Sequence, residues 1–181
     1  MSLHERMVSF IGLVLILFFQ LPHSSFAQSV SIYWVDPAND AILSLASGGS
    51  VVDTVLVFNE TPLNAGIGDI HVDMKANKIY WVFSFGGLYQ ADLDGSNVEE
   101  LSAEEAVGFN TFESLTKDAE REWLFLSLNN LSGTTIFDLN TREFFEVTLT
   151  GSSGLGAVDS QGRTFWGIGT DISYLFKENY D

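Results

Sequence analysis

Past its first thirty residues the chain alternates between short stretches rich in β-forming side chains and clusters of turn-forming polar residues. None of the roughly 3.6-residue apolar stripes of an amphipathic helix is present. The clearest group opens with Asp69-Ile70-His71-Val72-Asp73, which reads as a strand. It turns over Met74 to Asn77 and continues into a second strand at Lys78-Ile79-Tyr80-Trp81-Val82-Phe83. After Gly86-Gly87, Leu88 to Leu93 predicts a third strand, Asp94-Gly95-Ser96-Asn97 a turn in which glycine takes the positive φ, and Val98 to Leu101 a fourth strand. The next group keeps this order. It has a strand at Phe112 to Leu115, a polar turn through Lys117-Asp118-Ala119-Glu120, strands at Glu122 to Ser127 and Thr134 to Leu139, a turn at Asn140-Thr141-Arg142, and a strand at Phe144 to Leu149. Each group is a small antiparallel meander with two apolar faces, which only stacking on a neighbouring unit can bury.

A bulky pair recurs once per group: Tyr33-Trp34, Tyr80-Trp81, Trp123-Leu124 and Phe165-Trp166, the first members lying 47, 43 and 42 residues apart. A period in the low forties is that of one four-stranded propeller blade. The expected fold is therefore all-β, a β-propeller-like array of four-stranded antiparallel blades. The first unit opens at Ser31-Ile32-Tyr33-Trp34, in the place of a second strand. The last has strands at Gly156 to Asp159, Arg163 to Trp166 and Ile172 to Phe176 and no fourth, so the array amounts to about three to three and a half blades, open or incomplete. Propellers usually close with four to eight blades. Three readings stay open: part of a longer protein, an open sector that associates with copies of itself through its exposed sheet edges, or a compact four-bladed ring with degenerate end blades.

The beginning of the chain has a different character. His4, Glu5 and Arg6 precede an apolar run from Ile11 to Phe19, and Ser25-Phe26-Ala27 offers the small residues at which a signal peptidase cuts. That run is shorter than the roughly 20 residues needed to span a bilayer. Residues 1–27 therefore read as a signal peptide and residues 28–181 as one blade domain, secreted, or periplasmic if the source is bacterial. The leader holds one acid and one base, so the formal charge of −16 passes to a mature form with 8 − 1 = 7 Lys and Arg. Nucleic acid and anionic membrane surfaces are bound through clusters of Lys and Arg, and the dispersed acids here repel both. With no cysteine in the sequence, stability has to come from core and strand pairing rather than disulfides.

The second unit resembles the YWTD repeat of the low-density lipoprotein receptor, its class B repeat. The resemblance is carried by Ile70-His71-Val72-Asp73, Lys78-Ile79-Tyr80-Trp81 and Ala91-Asp92-Leu93-Asp94-Gly95-Ser96-Asn97. The first unit matches at Ile32-Tyr33-Trp34-Val35-Asp36, where the aspartate closing the tetrapeptide is present. The later units keep mainly the apolar character. The resemblance implies a propeller of extracellular binding type; the family's six repeats and its cysteine-rich companion modules are not found in this sequence. Propeller enzymes of the gluconolactonase and strictosidine synthase type look related, and this implies a second reading, a hydrolase or lactonase that depends on a divalent cation.

Several constellations bear on chemistry. His71 is the one histidine past the leader and lies in a predicted strand, so no Ser-His-Asp triad or multi-histidine zinc set can be built within the chain. An EF-hand loop starting at Asp92 needs glycine at its sixth and glutamate at its twelfth position, where Asn97 and Ala103 stand. Asp36, Asp73 and Asp159 recur near strand ends and are candidate ligands for an axial cation, calcium in the enzymes they resemble; turn formation is the competing role. Gly151 to Gly156 leads into a strand rather than a helix, which disqualifies it as a phosphate cradle. Tyr33, Trp34, Tyr80, Trp81, Trp123, Phe165 and Trp166 are expected to fill the sheet-to-sheet core, with Asp94 and Gly95 shaping a turn. Asn59 and Asn130 fit the glycosylation acceptor pattern. The expected function is a non-catalytic module that needs no cofactor and binds a protein or carbohydrate ligand through loops on a rigid framework.

Overall fold

In a computed structural model the described residues are 31–58, 66–84, 87–102, 112–128, 134–147, 156–161, 163–168 and 175–179. The leader and both candidate glycosylation sites, Asn59 and Asn130, lie outside them. The described residues form fourteen strands and no helix. In chain order these are β1 (Ser31–Asp36), β2 (Ala41–Ala46), β3 (Asp53–Val57), β4 (Ile67–Asp73), β5 (Lys78–Phe83), β6 (Leu88–Asp92), β7 (Glu99–Ser102), β8 (Phe112–Asp118), β9 (Trp123–Leu128), β10 (Thr134–Asp138), β11 (Glu143–Val147), β12 (Gly156–Asp159), β13 (Thr164–Ile168) and β14 (Leu175–Asn179). They make four antiparallel meanders ordered β1-β2-β3, β4-β5-β6-β7, β8-β9-β10-β11 and β12-β13-β14. Fourteen strands are three and a half blades of four. The fold is an all-β, propeller-like array whose first and last blades each show three strands among the described residues.

One turn recurs and sets the register. A strand closes on aspartate, and the residue four positions later adopts positive φ: Asp36 with Asp40 (45°), Asp73 with Asn77 (57°), Asp118 with Glu122 (59°), Asp138 with Arg142 (63°) and Asp159 with Arg163 (47°). The aspartate accepts from the amides it has just turned. Asp73 Oδ1 takes Lys75 and Ala76 N–H at 2.9 Å, Asp118 Oδ1 takes Glu120 and Arg121 at 2.9 and 3.3 Å, and Asp138 Oδ1 takes Asn140 and Thr141 at 2.7 and 3.3 Å. A side chain that mimics a backbone turn, followed by one left-handed residue, reverses the chain tightly enough to pair the flanking strands.

This turn corrects the repeat as the aromatic pairs suggest it. Strand pairing puts Asp73 opposite Lys78, Asp118 opposite Trp123 and Asp159 opposite Thr164. Ile79, Leu124 and Phe165 are therefore equivalent, as are Tyr80, Phe125 and Trp166, and the pairs Trp123-Leu124 and Phe165-Trp166 are out of register with Tyr80-Trp81. Most strands also differ by a residue or more from their expected bounds. β8 continues through Lys117 and Asp118, so the turn there is 119–122, and β14 runs to 179, past the expected end at 176, while residues 172–174 lie outside the described residues. The fourth strand of the third blade begins at 143, one residue ahead of the expected start, and residues 148–149 lie outside the described residues.

The core is a series of blade junctions. On β5 alternate residues point to opposite faces. Ile79, Trp81 and Phe83 pack with Ile42, Tyr33, Val55 and Phe58 of the first blade, while Tyr80 and Val82 join Leu115, Leu124, Leu126 and Phe137 of the third. Trp81 is fully buried, with its ring stacked on Tyr89 at 5.6 Å and met by Phe58 at 5.5 Å. Phe125 and Ile136 continue the series toward Val158 of the last blade. Outer contacts are also close. Gly95, at φ 82°, lies where an added Cβ would stand 2.0 Å from the Val55 carbonyl oxygen of the first blade.

Two substitutions test this packing by thermal or urea unfolding. Trp81→Ala should cost about 3–5 kcal/mol, the range for emptying a buried aromatic site. Gly95→Ala should cost roughly 1–3 kcal/mol from the left-handed backbone alone, with the clash against Val55 adding to it. A loss below about 0.5 kcal/mol in either, the level of an ordinary surface change, would contradict the junction described.

Candidate functional site

The inner strands β4 and β8 concentrate the buried charge. Lys117 stands one residue before the strand-closing Asp118, where the equivalent residues are Val72 and Val158, so a cation occupies a position that is apolar in its neighbours. Its side chain is 1 % exposed. The ammonium donates to Asp73 Oδ2 of the second blade at 2.6 Å and to Glu122 Oε2 at 2.7 Å, and lies 5.5 Å from the Tyr80 ring centroid. Asp73 therefore does two things: one oxygen shapes the turn after β4 and the other holds the next blade. Glu122 reaches the ammonium from the left-handed position of its own turn.

Electrostatics follow from this geometry. Burial works against the Lys117 ammonium, but hydrogen bonds to Asp73 and Glu122 outweigh it and hold its pKa above the ordinary lysine value. Burial also opposes ionisation of Asp73, and there Lys117 and the turn amides prevail, placing the carboxyl below the usual range. A lysine held as an ammonium has no lone pair to offer, so Lys117 is unsuited to nucleophilic or Schiff-base chemistry at neutral pH.

Two further groups on β4 lie close by. Asp69 follows a β-bulge and accepts Ile70 N–H at 2.8 Å, and its other oxygen accepts Leu115 N–H of β8 at 2.8 Å. Gly68 permits this approach, since a Cβ there would stand 2.7 Å from the Phe112 carbonyl oxygen. Burial raises the Asp69 pKa against these two bonds. For His71 burial is again the leading influence and lowers the pKa; Asp73 opposes the shift and Lys117 adds to it. Farther out, Lys78 pairs with Asp92 at 2.7 Å, and exposed Arg142 of the third blade meets Glu99 of the second at 2.9 Å.

The residues expected from sequence are distributed as follows. Tyr80 and Trp81 are buried on opposite faces of β5. Tyr33 packs toward the second blade, Trp34 is half-buried, and the Trp123 indole N–H donates to Asp138 at 3.2 Å. Trp166 is 38 % exposed, and Phe165 is placed by its backbone pairing with Val158. Asp94 accepts the Ser96 amide at 2.9 Å beside Gly95.

The axial trio does not assemble. Among the described residues no three His, Cys, Asp or Glu side chains converge as a cation site requires. The reason is positional: Asp36 closes β1, the counterpart of β5, whereas Asp73 and Asp159 close inner strands, so Asp36 belongs to the opposite end of a blade. Its carboxylate accepts from Ala38 and Asn39 of its own turn. Sequence reasoning missed Lys117, Asp69 and Glu122. The available signal was a lysine at a strand position that is valine in the neighbouring repeats.

No protein-family profile and no curated protein sequence matches the chain. Solved structures do. A chain of a nidogen/laminin complex aligns with TM-score 0.61 and 13% identity over 83% of this chain and 59% of that one. An auxiliary nutrient binding protein from Bacteroides thetaiotaomicron aligns with TM-score 0.63 and 12% identity over 83% of this chain and 36% of its own, and one from Bacteroides ovatus with 0.62 and 13% over 88% and 37%. At such identities the likeness is one of fold, and the class it defines is the β-propeller. This chain spans less than two thirds of each of these proteins.

Breaking the Lys117 pair from one side should be costly. Lys117→Met leaves Asp73 buried without its cation and should lose about 3–5 kcal/mol, while Lys117→Met with Asp73→Asn should recover part of that loss. With Asp73→Asn alone measured beside them by urea unfolding, a double-variant loss equal to the sum of the two single losses would mean that the two groups do not interact.

The pH dependence has a definite sign. Asp73 is depressed in the folded state, so its contribution is present above the unfolded carboxyl value of about 3.9 and is lost as pH falls through the lower folded value. His71 is also depressed. As pH falls below about 6.5 the unfolded chain takes up a proton that the folded chain refuses, so stability declines there first. His71→Asn should flatten the stability profile between pH 5 and 6.5 and leave the Asp73 limb in place. An unchanged slope in that window would show that His71 is not the group responsible.

Proposed function

We propose that this chain is an exported, non-catalytic binding module built on YWTD-type blades, with residues 1–27 removed as a leader and 28–181 forming the blade domain. The observation that carries the reading is the use made of the buried charge: Lys117, Asp73 and Asp69 are all committed to fastening the second blade to the third. A rigid framework of this kind suits ligand capture by the loops between strands. The YWTD reading is supported by the second blade, whose motif residues fall on β4, β5 and the β6–β7 turn in family order. Structural likeness to a nidogen/laminin complex and to nutrient binding proteins supports a protein or carbohydrate as the ligand class, and an extracellular or periplasmic setting.

The test is saturable binding of the immobilised chain to arrayed glycans and extracellular protein fragments, run beside lactone hydrolysis with and without calcium. We expect binding, no turnover, and an unchanged melting temperature in calcium. An ion held by the native state at a hundred times its Kd would add about 2.7 kcal/mol and raise the melting temperature. Calcium-dependent hydrolysis together with such a shift would replace this reading with that of a lactonase.

A further inference from the structure

The second and third blades fill the same corner of their sheets with different chemistry. In the second blade the corner is Val82 and Leu88, paired across β5 and β6 and both fully buried in one cluster with Leu115 and Leu126 of the third blade. Strand pairing puts Ser127 and Thr134 at these two positions in the third blade. Ser127 lies two residues beyond Phe125 and Thr134 two residues before Ile136. Phe125 and Ile136 pack toward Val158, so both hydroxyl side chains are directed toward the fourth blade. Ser114 of β8 pairs with Ser127 and completes a row of three hydroxyls on adjacent strands. All three residues are buried, and Thr134, 2 % exposed, finds no protein partner for its Oγ1.

The fourth blade meets this corner with glycine. Pairing makes Gly156 the equivalent of Leu115, and its cross-strand partner Gly167 the equivalent of Leu126. Four aliphatic side chains of the earlier junction are thus replaced by two hydroxyls and two glycines. The exchange removes apolar volume from both sides and leaves polar atoms in its place, which is the setting of an internal water rather than of a dry core. Asp69 shows where such a water bonds. Ser114 holds the place of Asp69, each following a β-bulge, and Asp69 Oδ2 crosses its junction to accept the Leu115 amide at 2.8 Å. Gly156 has the place of Leu115. A serine side chain is one bond shorter than an aspartate, and a bridging water makes up the reach.

We propose that Ser114, Ser127 and Thr134 hold an ordered water between the third and fourth blades, which satisfies the Thr134 hydroxyl and links the hydroxyl row to the Gly156 amide. The water does for this junction what the Asp69 carboxylate does for the one before it. The two junctions are then closed by different means, the earlier by charge and aliphatic packing and the later by neutral hydroxyls and a solvent molecule built into the fold.

A crystal structure of the full chain, at a resolution that shows solvent, tests this directly. The expected result is electron density for a water within hydrogen-bond distance of Thr134 Oγ1 and of a serine hydroxyl of the row. A site that is dry, or filled by a protein side chain, overturns the proposal. Urea unfolding of Thr134→Val gives an independent reading, because valine keeps the shape and removes the hydroxyl. A held water loses a partner in this variant and the urea midpoint falls. An orphaned hydroxyl predicts the reverse, since its removal relieves an unmet desolvation cost. A midpoint equal to or above the parent's therefore also overturns the proposal. The crystallographic arm uses the unaltered chain and decides the matter if the variant does not fold.

Discussion

A four-stranded antiparallel sheet made of residues like Ile79-Tyr80-Trp81-Val82 is apolar on both sides, and water can be tolerated on neither. Everything else in this structure answers that constraint. The second and third blades resolve it by giving one face to each neighbour, so that Trp81 stacks on Tyr89 under Phe58 while Tyr80, one residue earlier, packs into the next junction. The same logic explains why the turns are short and stereotyped. A hairpin that reversed less tightly would shift the strands by a residue and exchange the two faces.

Apolar burial alone does not choose which residue of one blade meets which residue of the next, and the polar groups on the inner strands supply that choice. Lys117 can be buried only where two carboxylates meet it, and Asp69 only where an edge amide of β8 points at it. Each is satisfied at one relative position of the blades, so the pair acts as a key for the second junction. The left-handed backbone of Glu122, which costs roughly 1 kcal/mol or more in an unfavourable region, is offset by the charge it brings to the ammonium.

Much of the architecture was legible because strands advertise themselves. The second blade, with its alternating apolar residues and Asp94-Gly95 turn, could be read almost to the residue, since local chemistry and tertiary packing agree there. The repeat register in the third and fourth blades was not, because large aromatic residues draw the eye while the register is set by Asp118 and Asp159, each of which closes a strand four positions ahead of a left-handed residue. Lys117 was hidden for a related reason. A lysine next to an aspartate reads as solvated turn unless one knows that Asp73, forty-four residues earlier, stands opposite. Long-range pairing of this kind leaves no local trace, and the same holds for the divergence of Asp36 from Asp73 and Asp159.

The fastenings between the second and third blades are unevenly distributed. Near the inner strands lie the Asp69–Leu115 and Asp73–Lys117 bonds, both short and shielded; at the periphery Arg142 pairs with Glu99 in water. Solvated pairs of that sort hold little and weaken with salt. Mechanically the sector is a hand fan riveted at its pivot, and a load on the rim would tilt one blade against the next before it drew the hub apart.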